Sequence, residues 1–593
     1  MSVRKLRRSQ VVGPFGPGAI VDLLGESFVA EDAGQWRNKL AEIDFPRLAR
    51  YLGVDKLKTA LPGGALPYLR FPRTLFCFRC RAMVQWTKGR EQRGQPPTCT
   101  TCPGRRVLIP MRFVAACADG HLTDVDWRRW AHSASRKSRD QNQCASRDLL
   151  FNNRADAGGG LASLVVQCRK CKAFRSLLGI TNFGGIPQRC PGTQPWQSQV
   201  DAVTCSKPLV SLQRGASNIY FPTIHSAIDI PPDSDWREID PAMATLTGFQ
   251  EFKLLVDRAS LIPAIRQVAL DHLVHQTQFT AEEIMAEVDV RRGGSRVGTV
   301  DDIRPDEWVA LRHPHGQHDP RDRFIARRAV HPSGATPIGG AEAELARVLA
   351  DIVLVERLRE VRVLTEFKRY KMESAVPANI GDPTHFLPAA EVYGEGYFLR
   401  FAEEAIAEWE TRPRVRAQVA LIAKRMDDFA RKRYPEPTPR FILMHTFAHL
   451  LLRQTAFEAG YSTSSLRERL YVTPKTRAPA MAGILIYTAA GDSEGTLGGL
   501  VRMGQPERLW RLLSNAVSAA QWCSFDPVCG ESKGQGPDGL SLAACHACAL
   551  VPETSCDQSA NRLLDRSLLV DEDYGFFAPL AGLLGPLPSG GIW

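Results

Sequence analysis

Apolar residues recur every three to four positions in HTFAHLLLRQTAFEAG (445–460), and that spacing predicts a helix. The apolar run GILIYTA (483–489) then predicts a buried strand. Turn-rich AGDSEGTLGGLV (490–501) and a second periodic stretch, PERLWRLLSNAVSAAQWC (506–523), complete an α/β unit over 436–593. Upstream, ASNIYFPTIHSAIDIPP (216–232) reads as a strand with turn signals. Residues 265–290 and 341–372 show helical spacing with charged faces. No run approaches the roughly eighteen apolar residues of a membrane span. The opening MSVRKLRRSQVVGPFGPGAIVDLL is interrupted by Pro14, Pro17 and Asp22 where a signal peptide needs an unbroken apolar core. The expectation is a soluble, cytoplasmic chain with no membrane partner.

A length of 593 residues, 44 % of them apolar, supports more than one core. The fold class expected is α+β multidomain. It comprises an N-terminal segment (1–70), a basic region with two zinc ribbons (71–215), a mixed α/β and helical middle (216–435) and a C-terminal zinc-binding module (436–593). Charge divides the chain the same way. Residues 1–215 hold 34 Lys and Arg against 15 Asp and Glu, a net of +19, while residues 216–593 hold 41 against 49, a net of −8. A segment this basic suits a polyanion, nucleic acid being the commonest, or docks on an acidic partner.

Most of the fifteen cysteines sit in that basic half. Paired thiols in a reducing compartment favour metal tetrahedra over disulfides. Cys77 and Cys80 are separated from Cys99 and Cys102 by eighteen residues, the spacing of a zinc ribbon in which two knuckles complete an all-thiolate site. The arithmetic nearly repeats with Cys168, Cys171 and Cys190, and Cys205 is taken as the fourth ligand of a second ribbon. Between them, Cys117 and His121 in CADGHLTDVDW offer donors that could bind metal and Cys144 could join them, but no CxxC or CxxH pair anchors such a site, and they read as buried structural residues. At the C-terminus five thiols compete for four places. Cys545 and Cys548 form the firm pair, Cys529 and Cys556 join them, and Cys523 is held in reserve. About three structural zinc ions follow. Basic residues surround the ribbons: Lys88, Arg90, Arg93, Arg105 and Arg106 are candidates for phosphate contacts, and Arg128, Arg129, Arg136, Lys137 and Arg139 lie between the ribbons.

Signs of catalysis are weak. A zinc protease carries Glu directly after the first histidine of HExxH, and here that position is Thr446, so His445 and His449 read as orienting or packing residues. His313, His315 and His318 in RHPHGQHDP read as a solvated loop. No GxxxxGK[ST] is present, and GDSEGTLGGL lacks the lysine of a phosphate cradle. The chain is read as having no catalytic residues. The alternatives are a metal-dependent hydrolase or nuclease using His445, His449, Asp492 and Glu494, and a protein scaffold without DNA contact.

Resemblance adds partners. The order HxxxH helix, IYTAAGDSEGTLGGL, helix and CHAC…SCDQSANRLLDR is similar to the C-terminal zinc-binding module of MrfA-type bacterial superfamily 2 helicases, over residues 436–593. Two departures stand out: those modules have a Tyr-Asp…Pro-Gly-Gly loop, and their motor domains are missing here. Across the full length, RRSQVVGPFGPGAIVDL, ACADGHLTDVDW, RGASNIYFPTIHSAIDIPP, HTFAHLLLRQTAFEAGYSTSSLRERLY, GDSEGTLGGLV and ACHACALVPETSC resemble the DrmB family, the motor-less subunits of DISARM anti-phage defence systems. That resemblance implies a heterodimer with a separate superfamily 2 helicase subunit, DrmA. It also implies contact with DNA and a share in recognising and restricting phage DNA beside a methyltransferase that marks the host's own.

Overall fold

A computed structural model describes residues 7–585 apart from 37–39, 62–65, 93, 134–143, 155–157, 198–201, 232–240, 258–261, 292–302, 315–321, 330–339, 474–478, 489–497 and 559. By contacts the chain divides into two compact units. One comprises residues 1–226 and 361–391, the other 227–360 and 392–593. No described helix is long and apolar enough to cross a membrane.

The first unit is built from small three-stranded antiparallel sheets. Thr74–Phe76 lies between Met83–Gln85 and Ile109–Pro110, Phe113–Ala116 between Leu122–Asp124 and Val210–Gln213, and Leu164–Cys168 between Leu149–Asn153 and Phe174–Ser176. Strands of two to five residues bury little by themselves. The core linking two of these sheets is made partly of sulfur: Cys117, Cys168 and Cys190 pack with Phe113, Trp127, Trp130 and Leu149. Elsewhere in the unit a fully buried guanidinium joins distant segments. Arg369 donates to the carbonyls of Gly18 and Ile219 at 2.6 Å each and of Gly120 at 3.2 Å, and lies 4.6 Å from the Trp196 ring centre.

The second unit is a sheet covered by helices. Its strands run in the order Leu349–Lys368 (as far as residue 360), Phe386–Phe401 (from residue 392), Met481–Thr488, Leu466–Thr473, the last two paired antiparallel with Glu468 opposite Ile486 and Arg469 opposite Leu485. The helix Pro439–Ala459 packs on Leu466–Thr473 and against the helix Pro506–Ala520. Thr438 caps its start by accepting from the Phe441 N–H, and Gly460 ends it at φ +72°, a left-handed turn that costs glycine little. Fifteen of its residues are buried, on every side, so this is a central helix rather than an amphipathic surface one.

The helix, strand and helix expected over 445–523 are present. The helical reading of 265–290 is met by two helices, Pro263–Gln276 and Ala281–Arg291. The helical reading of 341–372 is overturned: only Ala341–Val348 is helical, and Leu349–Lys368 is a twenty-residue strand. Its charged residues mimic a helical face, but Ile352, Val353, Val355, Val361 and Val363 are β-branched and pack on a pleated surface inside the sheet.

Candidate metal centres

All fifteen cysteines fall into five groups of four donor atoms, and within each group the atoms lie within 4.8 Å of one another. Zn–S bonds of about 2.3 Å and Zn–N bonds of about 2.0–2.1 Å imply tetrahedron edges of about 3.8 Å between sulfurs and about 3.6 Å between sulfur and nitrogen. Distances near these values are the test of whether the residues fit a metal.

The first group is Cys77, Cys80, Cys99 and Cys102. Cys77 follows the strand Thr74–Phe76, and the chain turns back at once: the Arg81 N–H donates to the Cys77 carbonyl at 2.8 Å, with Arg81 at φ +63°. The second knuckle is closed by the Cys99 N–H on the Arg106 carbonyl at 2.7 Å. Sulfur separations are 3.8 Å for Cys77–Cys102 and 3.7 Å for Cys80–Cys99, the edges of a zinc tetrathiolate.

The expected set Cys168, Cys171, Cys190 and Cys205 is not brought together. Two groups occupy that stretch, one nested inside the other along the chain. The inner is His132, Cys144, Cys168 and Cys171; the outer is Cys117, His121, Cys190 and Cys205. The physical reason is that Cys168 ends the strand Leu164–Cys168 against the helix Trp127–His132, which presents His132 to it, while Cys117 and His121 flank a tight turn at the end of Phe113–Ala116. In the inner group His132 Nε2 is 3.2 Å from Cys171 Sγ, its Nδ1 is held by the Arg128 carbonyl at 2.6 Å, and Cys144 and Cys168 are 3.9 Å apart. In the outer group Cys117 Sγ is 3.3 Å from His121 Nδ1 and 3.9 Å from Cys205 Sγ. Gly120, at φ +77°, makes the Cys117–His121 turn, and a Cβ there would run into Val376. One signal was legible: CFRCRA (77–82) and CRKCKA (168–173) are the same knuckle, with Lys172 at φ +64° matching Arg81. The partners Cys144 and His132 come from segments with no motif.

The fourth group is Cys523, Cys529, Cys545 and Cys548, with separations of 3.5 Å for Cys523–Cys545 and 3.8 Å for Cys529–Cys548. Cys523, the reserve, takes the place expected for Cys556. Asp526 shapes the intervening loop by accepting from the N–H groups of Cys523 at 2.6 Å and Gly530 at 2.8 Å, and it pairs with Arg566. Cys556 joins His445, His449 and Glu468 in the fifth group, inside the fold. His445, His449 and Glu468 are at most 1 % exposed.

Packing several thiols together divides their acidities. For Cys99, burial opposes ionisation, but the N–H groups of Thr101 and Cys102 and the thiols of Cys80 and Cys77 bring the pKa down to about 7. Cys102 is pushed up to about 12, first by its hydrogen bond with Cys80 and then by desolvation and its other neighbours. The inner group repeats the effect: burial of Cys168 is outweighed by the N–H groups of Cys171 and Lys170 and by Cys171 and His132, giving about 7. Cys190 in the outer group rises to about 12 through burial and the nearby Cys117. One thiol of a group ionises readily and the next resists. A divalent cation removes that conflict because it stabilises all the thiolates at once.

Of the candidate phosphate contacts, Lys88, Arg90, Arg105 and Arg106 are exposed around the first group, as are Phe78 and Arg79 on its first knuckle. Arg93 lies outside the described residues, as do Arg136, Lys137, Arg139, Asp492, Glu494, His315 and His318.

Comparison with known proteins gives matches to two families and to one full-length relative. Residues 7–221 match a family described as Domain of unknown function (DUF8724), and residues 447–549 match the MrfA Zn-binding domain. The chain is also 30 % identical over 613 aligned positions to the DISARM protein DrmB of Bacillus paralicheniformis, covering 95 % of this chain and 100 % of that protein. The MrfA match includes the four cysteines of the fourth group and stops short of Cys556.

Proposed function

The chain belongs to the DrmB family of DISARM proteins, and on that premise we propose that it is a non-catalytic, zinc-stabilised subunit of an anti-phage defence complex that docks on a separate superfamily 2 helicase and helps it hold phage DNA. The observation that carries the reading is full-length similarity to DrmB combined with an MrfA-type zinc-binding domain on a chain whose sequence has no P-loop. A module that accompanies a motor must meet one in trans when the motor is on another chain, and stable interfaces of that kind commonly bury more than about 2,000 Å².

The four cysteine-rich groups supply the scaffold. Each offers four protein donors, either four cysteines or three cysteines with one histidine, the composition of closed structural zinc sites rather than catalytic ones that keep a position for water. These groups support a reading of four structural zinc ions where the sequence suggested about three. When bound, each supplies folding free energy and no reaction step. The residues around it fix its ligands: Arg128 through its carbonyl orients His132, and Gly120 sets the Cys117–His121 turn. Lys88, Arg90, Arg105 and Arg106 on the rim of the first site are the phosphate contacts proposed. The hydrolase alternative is disfavoured because His445 and His449 are fully enclosed, out of reach of a substrate.

Co-expression with the helicase subunit of the same system, followed by gel filtration and ATPase assay, tests this. The expected result is one co-eluting complex whose ATP turnover or DNA affinity exceeds that of the helicase alone. Two separate peaks at micromolar concentration, or nuclease product from this chain alone, would overturn it.

A further inference from the structure

The fifth group, outside the four cysteine-rich sites, has its own chemistry. His445 and His449 stand one turn apart on the helix Pro439–Ala459, Glu468 comes from the strand Leu466–Thr473, and Cys556 from the segment that follows the fourth group. The two imidazole rings are 4.4 Å apart and nearly perpendicular. His445 Nδ1 faces the Leu563 carbonyl at 3.2 Å and His449 Nδ1 the Ala549 carbonyl at 3.0 Å. A carbonyl only accepts, so both rings donate from Nδ1, and in the neutral tautomer both turn an Nε2 lone pair inward.

Those inward atoms surround one point. His445 Nε2 lies 3.3 Å from Cys556 Sγ, and Glu468 Oε1 lies 3.4 Å from each Nε2. The distance of 3.4 Å is too long for a charge-assisted hydrogen bond, which runs at about 2.7–2.9 Å. It equals the edge of about 3.4 Å between nitrogen and oxygen ligands on one tetrahedral zinc. His449 Nε2 and Glu468 Oε2 are buried without a hydrogen-bond partner, a costly arrangement for a nitrogen and a carboxylate oxygen inside a protein. Around the ligands the fold supplies the outer contacts that metal sites use: the Asp557 N–H donates to Glu468 Oε1 at 3.1 Å and the Asn561 N–H to Cys556 Sγ at 3.4 Å. Two neutral imidazoles, one carboxylate and one thiolate together carry two negative charges, which a divalent ion cancels.

We propose that His445, His449, Glu468 and Cys556 form a fifth, buried metal site, of two histidines, one glutamate and one cysteine, that takes zinc. Zinc is borderline-soft and takes imidazole nitrogen, carboxylate oxygen and thiolate sulfur together in a tetrahedron. All four positions are filled by protein, so the site is structural: it ties the chain after Cys548 to the central helix and the edge strand. It rests on these four side chains alone and stands apart from the proposed role in defence.

The test is elemental analysis of the full chain, purified without chelator, as wild type and as Glu468→Gln. Five zinc per wild-type chain and four in the variant are expected. Four metal equivalents in wild type, or five retained in Glu468→Gln, overturn the site. Should the variant not fold, iodoacetamide labelling of native wild type with peptide mapping decides: Cys556 becomes reactive only when a chelator removes zinc. Labelling of Cys556 that is the same with and without chelator overturns the proposal.

Discussion

Glu307 is fully buried on the helix Arg304–Arg312 and receives four hydrogen bonds: from Arg469 Nε at 2.6 Å and its terminal nitrogen at 2.7 Å, from Tyr471 Oη at 3.0 Å and from the Ile228 N–H at 2.8 Å. Arg469 neighbours Glu468 on the strand Leu466–Thr473, and the two point to opposite faces. The pair with Glu307 therefore helps fix the register that presents Glu468 to the fifth group. Glu307→Ala leaves a buried guanidinium without its bidentate partner, which costs about 3–5 kcal/mol, and strands a hydroxyl and an amide at about 1–3 kcal/mol each. The Asp557 carboxylate, which pairs with Arg304 at 2.9 Å and also acts on Arg469, offsets part of this. The net expectation is about 4 kcal/mol. A two-unit chain does not unfold in one step, so global melting is the wrong measure. Hydrogen exchange of the 466–473 amides reads the local free energy, and their protection should fall by roughly a thousandfold. Glu307→Leu combined with Arg469→Met removes both charges and should restore most of it. A loss below tenfold in Glu307→Ala, or a double variant no better than the single, would refute the reasoning.

Three further outcomes follow from the sites. Cys168→Ser and Cys190→Ser should each lose one zinc by elemental analysis and the double variant two, because they belong to separate groups; loss of only one in the double variant would restore the single ribbon read from sequence. Replacing Lys88, Arg90, Arg105 and Arg106 with Ala should reduce the slope of log affinity against log salt by up to about 3.6, at about 0.9 per phosphate contact on duplex DNA, without changing sequence preference. Acidification should act in two stages. Zinc leaves first as its ligands protonate. Asp557 acts later: burial opposes its charge, but Arg304, Arg469 and the Leu470 N–H hold its pKa below the ordinary 3.8, so its stabilisation is present above that value and lost as pH falls through the folded pKa. Zinc release and tryptophan fluorescence followed together in an acid titration should separate, with release at the higher pH.

What the sequence determined was what short-range pattern can carry. Thiolates with two residues between them on one turn have a fixed geometry, so Cys77 with Cys80, Cys168 with Cys171 and Cys545 with Cys548 were legible as pairs. The helix at 439–459 and the strand at 481–488 were legible because burial imposes a period on apolar positions. Tertiary structure alone decided which pairs share a centre. Eighteen residues lead from Cys171 to Cys190 as they do from Cys80 to Cys99, yet Cys190 meets Cys117 and His121, because the sheets place the end of Phe113–Ala116 there and the helix Trp127–His132 beside Cys168. Spacing along a chain bounds which donors can meet but cannot choose among them once several are within reach. The same limit hid the fifth group: His445 and His449 read as packing residues because nothing local to them reveals Glu468 on a strand and Cys556 more than a hundred positions away, brought within a few ångströms by the fold of the second unit.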